Sequence, residues 1–308
     1  MKKKSGALKK MKRFLPLYIM LLPGILYLII NNYMPMAGLI LAFKKVNYAV
    51  GIFDSPWTGL SNFKYLFGTK DAFIFFRNTI LYNLAFIVFG NFMGIFTAVA
   101  LDCIRNKFFK KFSQVVILIP FLLSTVIISY IVYAFLSGNT GFINNTLFPL
   151  LGMEGISWYS QAKYWPAILI IVYLWMTFGY NSILYYSTLI GIDKTFYEAA
   201  VVDGAGIFSQ IRYITMPFLK TTVITLMLMA VGRICYSDFG LFYQVPMDSG
   251  LLYNATQTID TYVYRALLEL NDIGRSTAAG FLQSVLGFIC ILIANIVVSR
   301  IDKDSALF

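Results

Sequence analysis

The feature that most narrows what this chain can fold into is a series of long apolar runs, nearly all without a single charged residue. One lies between Arg13 and Lys44, a second between Arg77 and Asp102, and a third begins after Lys111 and stays apolar to about Leu136. A fourth lies between Lys163 and Asp193, a fifth begins after Lys220 and runs to about Tyr243, interrupted by Arg233 and Asp238, and a sixth lies between Arg275 and Arg300. A helix needs roughly 20 apolar residues to cross a bilayer, and no other spanning structure hides its backbone within a single segment. The runs predict an all-α integral membrane protein of about six transmembrane helices. The expected spans are 14–34, 78–103, 112–137, 164–191, 220–243 and 276–300, within one transmembrane domain, 14–301. Composition agrees: 59% of the residues are hydrophobic and 13% charged, where a soluble domain carries about a quarter charged.

The net charge of +11 sits in short clusters beside the apolar runs, so it reads as membrane topology and not as a nucleic-acid footprint. With the N-terminus in the cytoplasm, the inner segments are the tail 1–13, the loop RNKFFKKF (105–112), the loop 192–219 with Lys220, and the tail 302–308. Together with Arg300 at the end of the sixth run, they hold 16 of the 25 basic residues. Asp54, Asp71, Glu154, Asp248, Asp260, Glu269 and Asp272 fall outside. Basic residues accumulate on the cytoplasmic side, so both termini are expected there. The first run imitates a signal peptide. It is long and lacks a small-residue cleavage site, which favours an uncleaved anchor.

Several chemistries are absent. There is no histidine, which removes the commonest general base and zinc ligand. No GxxxxGKS/T loop appears, so the chain is not expected to hydrolyse ATP. Cys103, Cys235 and Cys290 lie in or beside apolar runs and are read as small buried hydrophobes. The glycosylation-type patterns at Asn144 and Asn254 are read as chance matches.

The loop before the fifth run, GIDKTFYEAAVVDGAGIFSQIRYITMPFLK (191–220), is the most informative. Thr195 and Glu198 fit a capping box that opens a short helix. Gly204 is placed to close it, because glycine accepts the left-handed conformation past a helix end. A second short helix follows over about 207–215, and Pro217 is expected to break it. Tyr197, Ala200, Val201 and Ala205 are expected to form an apolar stripe suited to a groove on another protein.

Glu198, Ala199 and Ala200, then Asp203, Gly204 and Ala205, then Gln210, Ile214 and Pro217 resemble the EAA loop of binding-protein-dependent ABC transporter permeases. Met216 departs from the leucine usual in that family. Further stretches, LLPGILYLIINNYMPMAGLILAFKKVN (21–47), WTGLSNF (57–63), RNT (77–79), IDTYVYR (259–265) and the final ALF, are similar to an oligosaccharide and polysaccharide subgroup. The resemblance implies a type I importer permease whose EAA loop forms a coupling helix docked in an ATPase cleft. It implies a second homologous permease, two ATP-binding cassette subunits, an extracellular substrate-binding protein and a bacterial plasma-membrane location. ATP and magnesium would sit on the ATPase, with no cofactor on this chain. The coupling residues would be Glu198, Ala199, Ala200, Asp203, Gly204, Ala205 and Pro217.

For a substrate path the candidates are Tyr173, Trp175, Tyr180 and Asn181 in the fourth run, and Arg233, Tyr236 and Asp238 at the fifth. Aromatic faces suit sugar C–H surfaces, and amides and charges suit hydroxyls. A charge in a span is costly and faces protein or water. The bland alternative for Arg233 and Asp238 is an interfacial or inter-subunit ion pair. Ser124, Ser129 and Tyr130 are weaker candidates. A single arginine in the path favours a neutral or weakly charged glycan, with acidic ones open if a partner supplies cations. The rival readings are an ion-gradient-driven secondary transporter and a permease for a non-sugar solute.

Overall fold

A computed structural model describes residues 14–52, 54–301 and 306 of the chain. The basic tail 1–13, and all of the tail 302–308 except Ala306, lie outside the described residues.

The first run forms α1, Leu15–Phe43, and none of its most apolar window is buried inside the chain. After a short helix α2, Ser61–Gly68, comes α3, Lys70–Cys103, the longest element. Thr69 caps it by accepting from the Ala72 N–H at 3.2 Å. The third run does not form one span. It divides into α4, Lys107–Leu122, and α5, Thr125–Leu136, which meet at 93°. Pro120 sits in the last turn of α4, Leu123 and Ser124 are extended, and the Ser124 hydroxyl accepts from the Ile127 N–H to start α5 in a new direction. Hydropathy carries no information about such a bend, so the straight span expected over 112–137 is corrected.

The fourth run is α6, Trp165–Ile190. The loop after it holds α7, Lys194–Val202. The next helix, α8, runs without interruption from Ile207 to Gly232. Pro217 therefore does not break the pattern. A π-helical turn at Ile211–Thr215 precedes it, and this wider register absorbs the missing N–H. The same device recurs at Ile29–Tyr33 before Pro35 and at Ile143–Leu147 before Pro149. The fifth span accordingly begins and ends earlier than the expected 220–243. The helix stops at Arg233, and a short α9, Phe239–Gln244, restarts from Asp238. α10, Ile259–Leu268, and α11, Ile273–Ile301, complete the chain. Among the described residues there is no strand, only an isolated antiparallel bridge between Lys44 and Trp57.

Small residues set the helix spacing, as expected where lipid gives helices little hydrophobic reason to associate. α3 and α6 lie side by side and parallel. A β-carbon on Gly94 would come 3.0 Å from Asn181 and 3.1 Å from the Tyr185 ring. Phe86 stacks on Tyr173 with centroids 3.7 Å apart. α4 crosses α6 closely at Gly179, where a β-carbon would fall on the Ile117 carbonyl oxygen. One core joins Tyr82, Phe86, Trp165 and Leu169 to Leu241 and Phe242 of α9; another, near the 192–219 loop, joins Leu101, Tyr185, Leu189 and Leu219. Of the cysteines, Cys235 is buried and Cys290 half-buried, but Cys103 is exposed at the end of α3, against expectation. Asn144 is structural: its side chain bonds the Ile156 backbone and the Trp158 indole.

Candidate translocation cavity and coupling loop

A cavity of about 450 Å³ lies between α3, α6, α8 and the segment 233–238. Five of the predicted path residues meet in its lining: Tyr173, Asn181, Arg233, Tyr236 and Asp238. Trp175 and Tyr180 do not. At 100° per residue Trp175 lies on another face of α6, whereas Tyr180, seven residues on, lies within about 20° of Tyr173. It stands where α4 crosses α6, and it stacks on Phe121 of α4 at 4.5 Å instead of lining the cavity. Asn83 and Asn91 of α3 and Thr177 of α6 also line the cavity and are not among the predicted residues. Their signal is periodicity: Asn83 and Asn91 lie eight residues apart in an otherwise apolar run, two polar positions on one helix face with Ile87 between them. The Tyr185 hydroxyl donates to Asn91 Oδ1, which fixes that amide. Ser124 caps α5, Ser129 bonds back to the Val126 carbonyl, and Tyr130 is exposed; none of the three lines the cavity.

The segment 233–238 is irregular backbone inside a membrane protein, so its polar groups need protein partners. Asn83 Nδ2 donates to the Ile234 and Tyr236 carbonyls at 3.0 and 2.9 Å. Gln283 Nε2 donates to the Cys235 carbonyl at 2.7 Å. Asp260 Oδ2 accepts from the Ser237 N–H at 2.6 Å, the Ser237 hydroxyl at 2.7 Å and Gln283 at 3.0 Å. This network holds Arg233 and Asp238 at the cavity wall. The two do not pair with each other: among the described residues the Arg233 guanidinium makes no hydrogen bond or ion pair. Asp238 Oδ1 accepts from the Leu241 N–H at 3.0 Å and starts α9. The Tyr236 hydroxyl meets Ser284 at 2.9 Å.

In the loop, Asp193 and not Thr195 caps α7: its Oδ1 accepts from the Thr195 N–H at 3.0 Å. Two good capping residues lie two positions apart, and the earlier one takes the role, leaving Glu198 at the fifth helical position and not the third. Thr195, through its N–H and hydroxyl, holds the Asp193 carboxyl below the usual carboxylate range. The C-terminal end of α7 matches expectation. Gly204 has φ +78°, the Ala205 N–H reaches the Ala200 carbonyl at 2.8 Å, and the Gly204 N–H reaches the Val201 carbonyl at 3.0 Å. These two bonds are the Schellman pair.

The apolar stripe expected on α7 divides between two sides. Tyr197, Ala200 and Ala205 are half-buried against the chain itself, with the Tyr197 hydroxyl 3.0 Å from Thr215 Oγ1 and Gln210 Nε2 bonded to the Ala205 carbonyl at 2.9 Å. Val201 remains exposed, and the free apolar surface is completed by Val202, 87% exposed, and Phe208, 85% exposed. Glu198, Ala199, Asp203 and Gly204 are exposed beside it, and Pro217 is exposed on α8 just past the π-helical turn. The loop is thus clamped to its own protein on one side and presents a bare knob on the other.

A multi-pass helical bundle with a polar cavity between its spans and a rigid knob beyond them is the architecture of a membrane transport component. The sequence pattern of the binding-protein-dependent transport system inner membrane component matches residues 90–303, and the chain belongs to that family. It is 32% identical over 294 residues to the polygalacturonan/rhamnogalacturonan transport system permease protein YteP of Bacillus subtilis, covering 94% of this chain and 89% of that one. Its fold matches a chain of a bacterial ABC transporter involved in the import of the acidic polysaccharide alginate, with TM-score 0.88, 31% identity, and 96% and 99% of the two chains covered. A bacterial alginate ABC transporter in complex with an alginate pentasaccharide-bound periplasmic protein matches with TM-score 0.86 and 30% identity, covering 96% and 98%.

Proposed function

We propose that this chain is one of two permease subunits of an ATP-driven importer of oligosaccharides, including chains that carry carboxylates. The observation that carries the glycan reading is the cavity lining: Asn83, Asn91, Asn181 and Thr177 offer hydroxyl partners, and Tyr173 and Tyr236 offer aromatic faces. Arg233 extends it to acidic sugars. Asp238 is engaged in capping α9, so the guanidinium faces the cavity with no partner of its own among the described residues. The similarity to permeases named for polygalacturonan and alginate transport supports the same class, and departs from the neutral glycan favoured by the count of arginines in the sequence.

In this reading a second, similar permease completes the path. Two ATP-binding cassette subunits hold ATP and magnesium, and each grips one coupling loop. An extracellular binding protein delivers the glycan to the face opposite that loop. Nucleotide-driven closure moves the knob formed by Val201, Val202 and Phe208, with Glu198, Ala199, Asp203 and Gly204 around it. Because the knob is clamped to α8 through Tyr197–Thr215 and Gln210–Ala205, its displacement moves a cavity-lining helix directly. Both termini and the loop lie in the cytoplasm of a bacterial cell.

The test is reconstitution of the whole complex with its binding protein, measuring ATPase stimulation by neutral and uronic-acid oligosaccharides. Stimulation by uronic-acid chains that falls with Arg233→Gln supports the proposal. Uptake by this chain alone, driven by an ion gradient without ATP, overturns it.

A further inference from the structure

A second cavity, of about 490 Å³, lies at the ends of α3 and α6 farthest from the coupling loop, and it shares no lining residue with the first. Two cations stand in it. Arg77 donates through Nε and Nη2 to Asn78 Oδ1 and through Nη2 to the Asn254 carbonyl at 2.8 Å, leaving Nη1 without a partner among the described residues. Lys163 is exposed, with its ammonium 4.6 Å from the centre of the Tyr164 ring. No carboxylate is among the lining residues. The opposite wall is apolar, made by Leu81, Pro166 and Ile170. Below it an exposed apolar stripe continues down α3 through Leu84, Val88, Phe92 and Phe96. From Leu81 to Phe96 the stripe is about 22 Å long at 1.5 Å per residue, enough to cross one leaflet of roughly 15 Å.

We infer that this cavity is a binding site for an anionic phospholipid of the leaflet opposite the coupling loop. The phosphate sits between Arg77 and Lys163, and an acyl chain lies against Leu81, Pro166 and the α3 stripe. Charge and shape argue together. Two unbalanced cations call for an anion, and near a membrane surface each contributes attraction for anionic lipid. A free phosphate or an acidic sugar would gain nothing from the apolar wall, whereas a lipid uses both halves. The site also bears on the transport machinery: Arg77 and Asn78 bind the Asn254 and Gln257 carbonyls, at the root of the segment leading to α10 and Asp260.

The test uses the complete transport complex in phosphatidylcholine nanodiscs containing a trace of photoactivatable phosphatidylglycerol, with photoactivatable phosphatidylcholine as the comparison. Phosphatidylglycerol is expected to label peptides within 77–96 and 162–171. Labelling is expected to fall about fivefold for Lys163→Gln and further for the double variant with Arg77→Gln. Excess soluble glycerol phosphate is expected not to compete. Equal labelling by phosphatidylcholine, indifference to Lys163→Gln, or displacement by glycerol phosphate overturns the inference, the last by reducing it to a headgroup-only anion site. Labelling that is absent because the second permease is cross-linked across the cavity also overturns it. Arg77 has structural partners, so Lys163→Gln alone decides the case if the double variant does not fold.

Discussion

Substituting Gly204 separates the shape of the proposed coupling loop from its chemistry. Gly204 holds φ +78°, and a β-carbon there would meet nothing within 4 Å. Any damage from a side chain is therefore conformational and not steric. A left-handed conformation costs an ordinary residue about 1–2 kcal/mol, and a β-branched residue tolerates it worst. Asparagine adopts it far more readily. If Gly204→Val abandons the turn, the bonds from Ala205 to Ala200 and from Gly204 to Val201 go with it. At about 2 kcal/mol the formed knob becomes roughly thirtyfold less populated relative to its frayed form. The assay is solute transported per ATP hydrolysed, in proteoliposomes of the whole complex. The expected order is Gly204→Asn near wild type, Gly204→Ala lower, and Gly204→Val lowest, with membrane insertion intact throughout. A normal ratio for Gly204→Val refutes the reasoning. So does a Gly204→Asn variant as damaged as Gly204→Val, because that would make something other than φ the cause.

Gly179→Ala places a β-carbon where the Ile117 carbonyl oxygen stands, so α4 and α6 must separate; the expected result is a sharp loss of monodisperse protein in fluorescence-detected size exclusion. Arg233→Gln is expected to raise KM for uronic-acid oligosaccharides about tenfold, as for loss of one charge-assisted hydrogen bond, with neutral oligosaccharides unaffected and subunit recovery unchanged. Asp260→Ala removes the acceptor that holds Ser237, and hydrogen exchange across 233–238 is expected to accelerate while α3 and α6 stay protected. Asp193→Ala is expected to speed exchange at the start of α7, and Asp193→Asn to preserve it, because an amide oxygen still caps. The Asp193 carboxyl titrates below its ordinary range, so the stability it contributes is present above the unfolded value near 4. That contribution is lost as pH falls through the lower folded value.

What is legible in the sequence comes from physics with few solutions. A bilayer admits spanning helices of one minimum length, so the apolar runs locate α1, α3, α6 and α11, though α1 and α3 extend well beyond the expected spans. A turn that needs positive φ favours glycine, so Gly204 marks the end of α7. What stays hidden is geometry among equivalent choices. Asp193 and Thr195 are both good caps, and only the backbone decides between them. Pro120 and Pro217 are both prolines in apolar helices; a polar restart at Ser124 turns one into a bend, and a π-turn lets α8 run through the other. In the cavity, aromatic chemistry points equally to Tyr173 and Tyr180, which lie seven residues apart on nearly the same face of α6, and only the packing of Tyr180 on Phe121 of α4 separates them. Asn83 and Asn91 escape notice because each looks ordinary alone, although their spacing already puts them on one stripe.

The proposed transport cycle depends above all on the loop 192–219 joining this permease to a separate ATPase. The most direct measurement is site-specific cross-linking in native membranes, with a photo-reactive residue placed at Val202 or Phe208 and the captured protein identified by mass spectrometry. An ATP-binding cassette subunit is expected at both positions, with capture changing between nucleotide-free and ATP-bound states. Capture of lipid alone, or of an ATP-binding cassette subunit only from residues on the opposite ends of the helices such as Lys163, would contradict it.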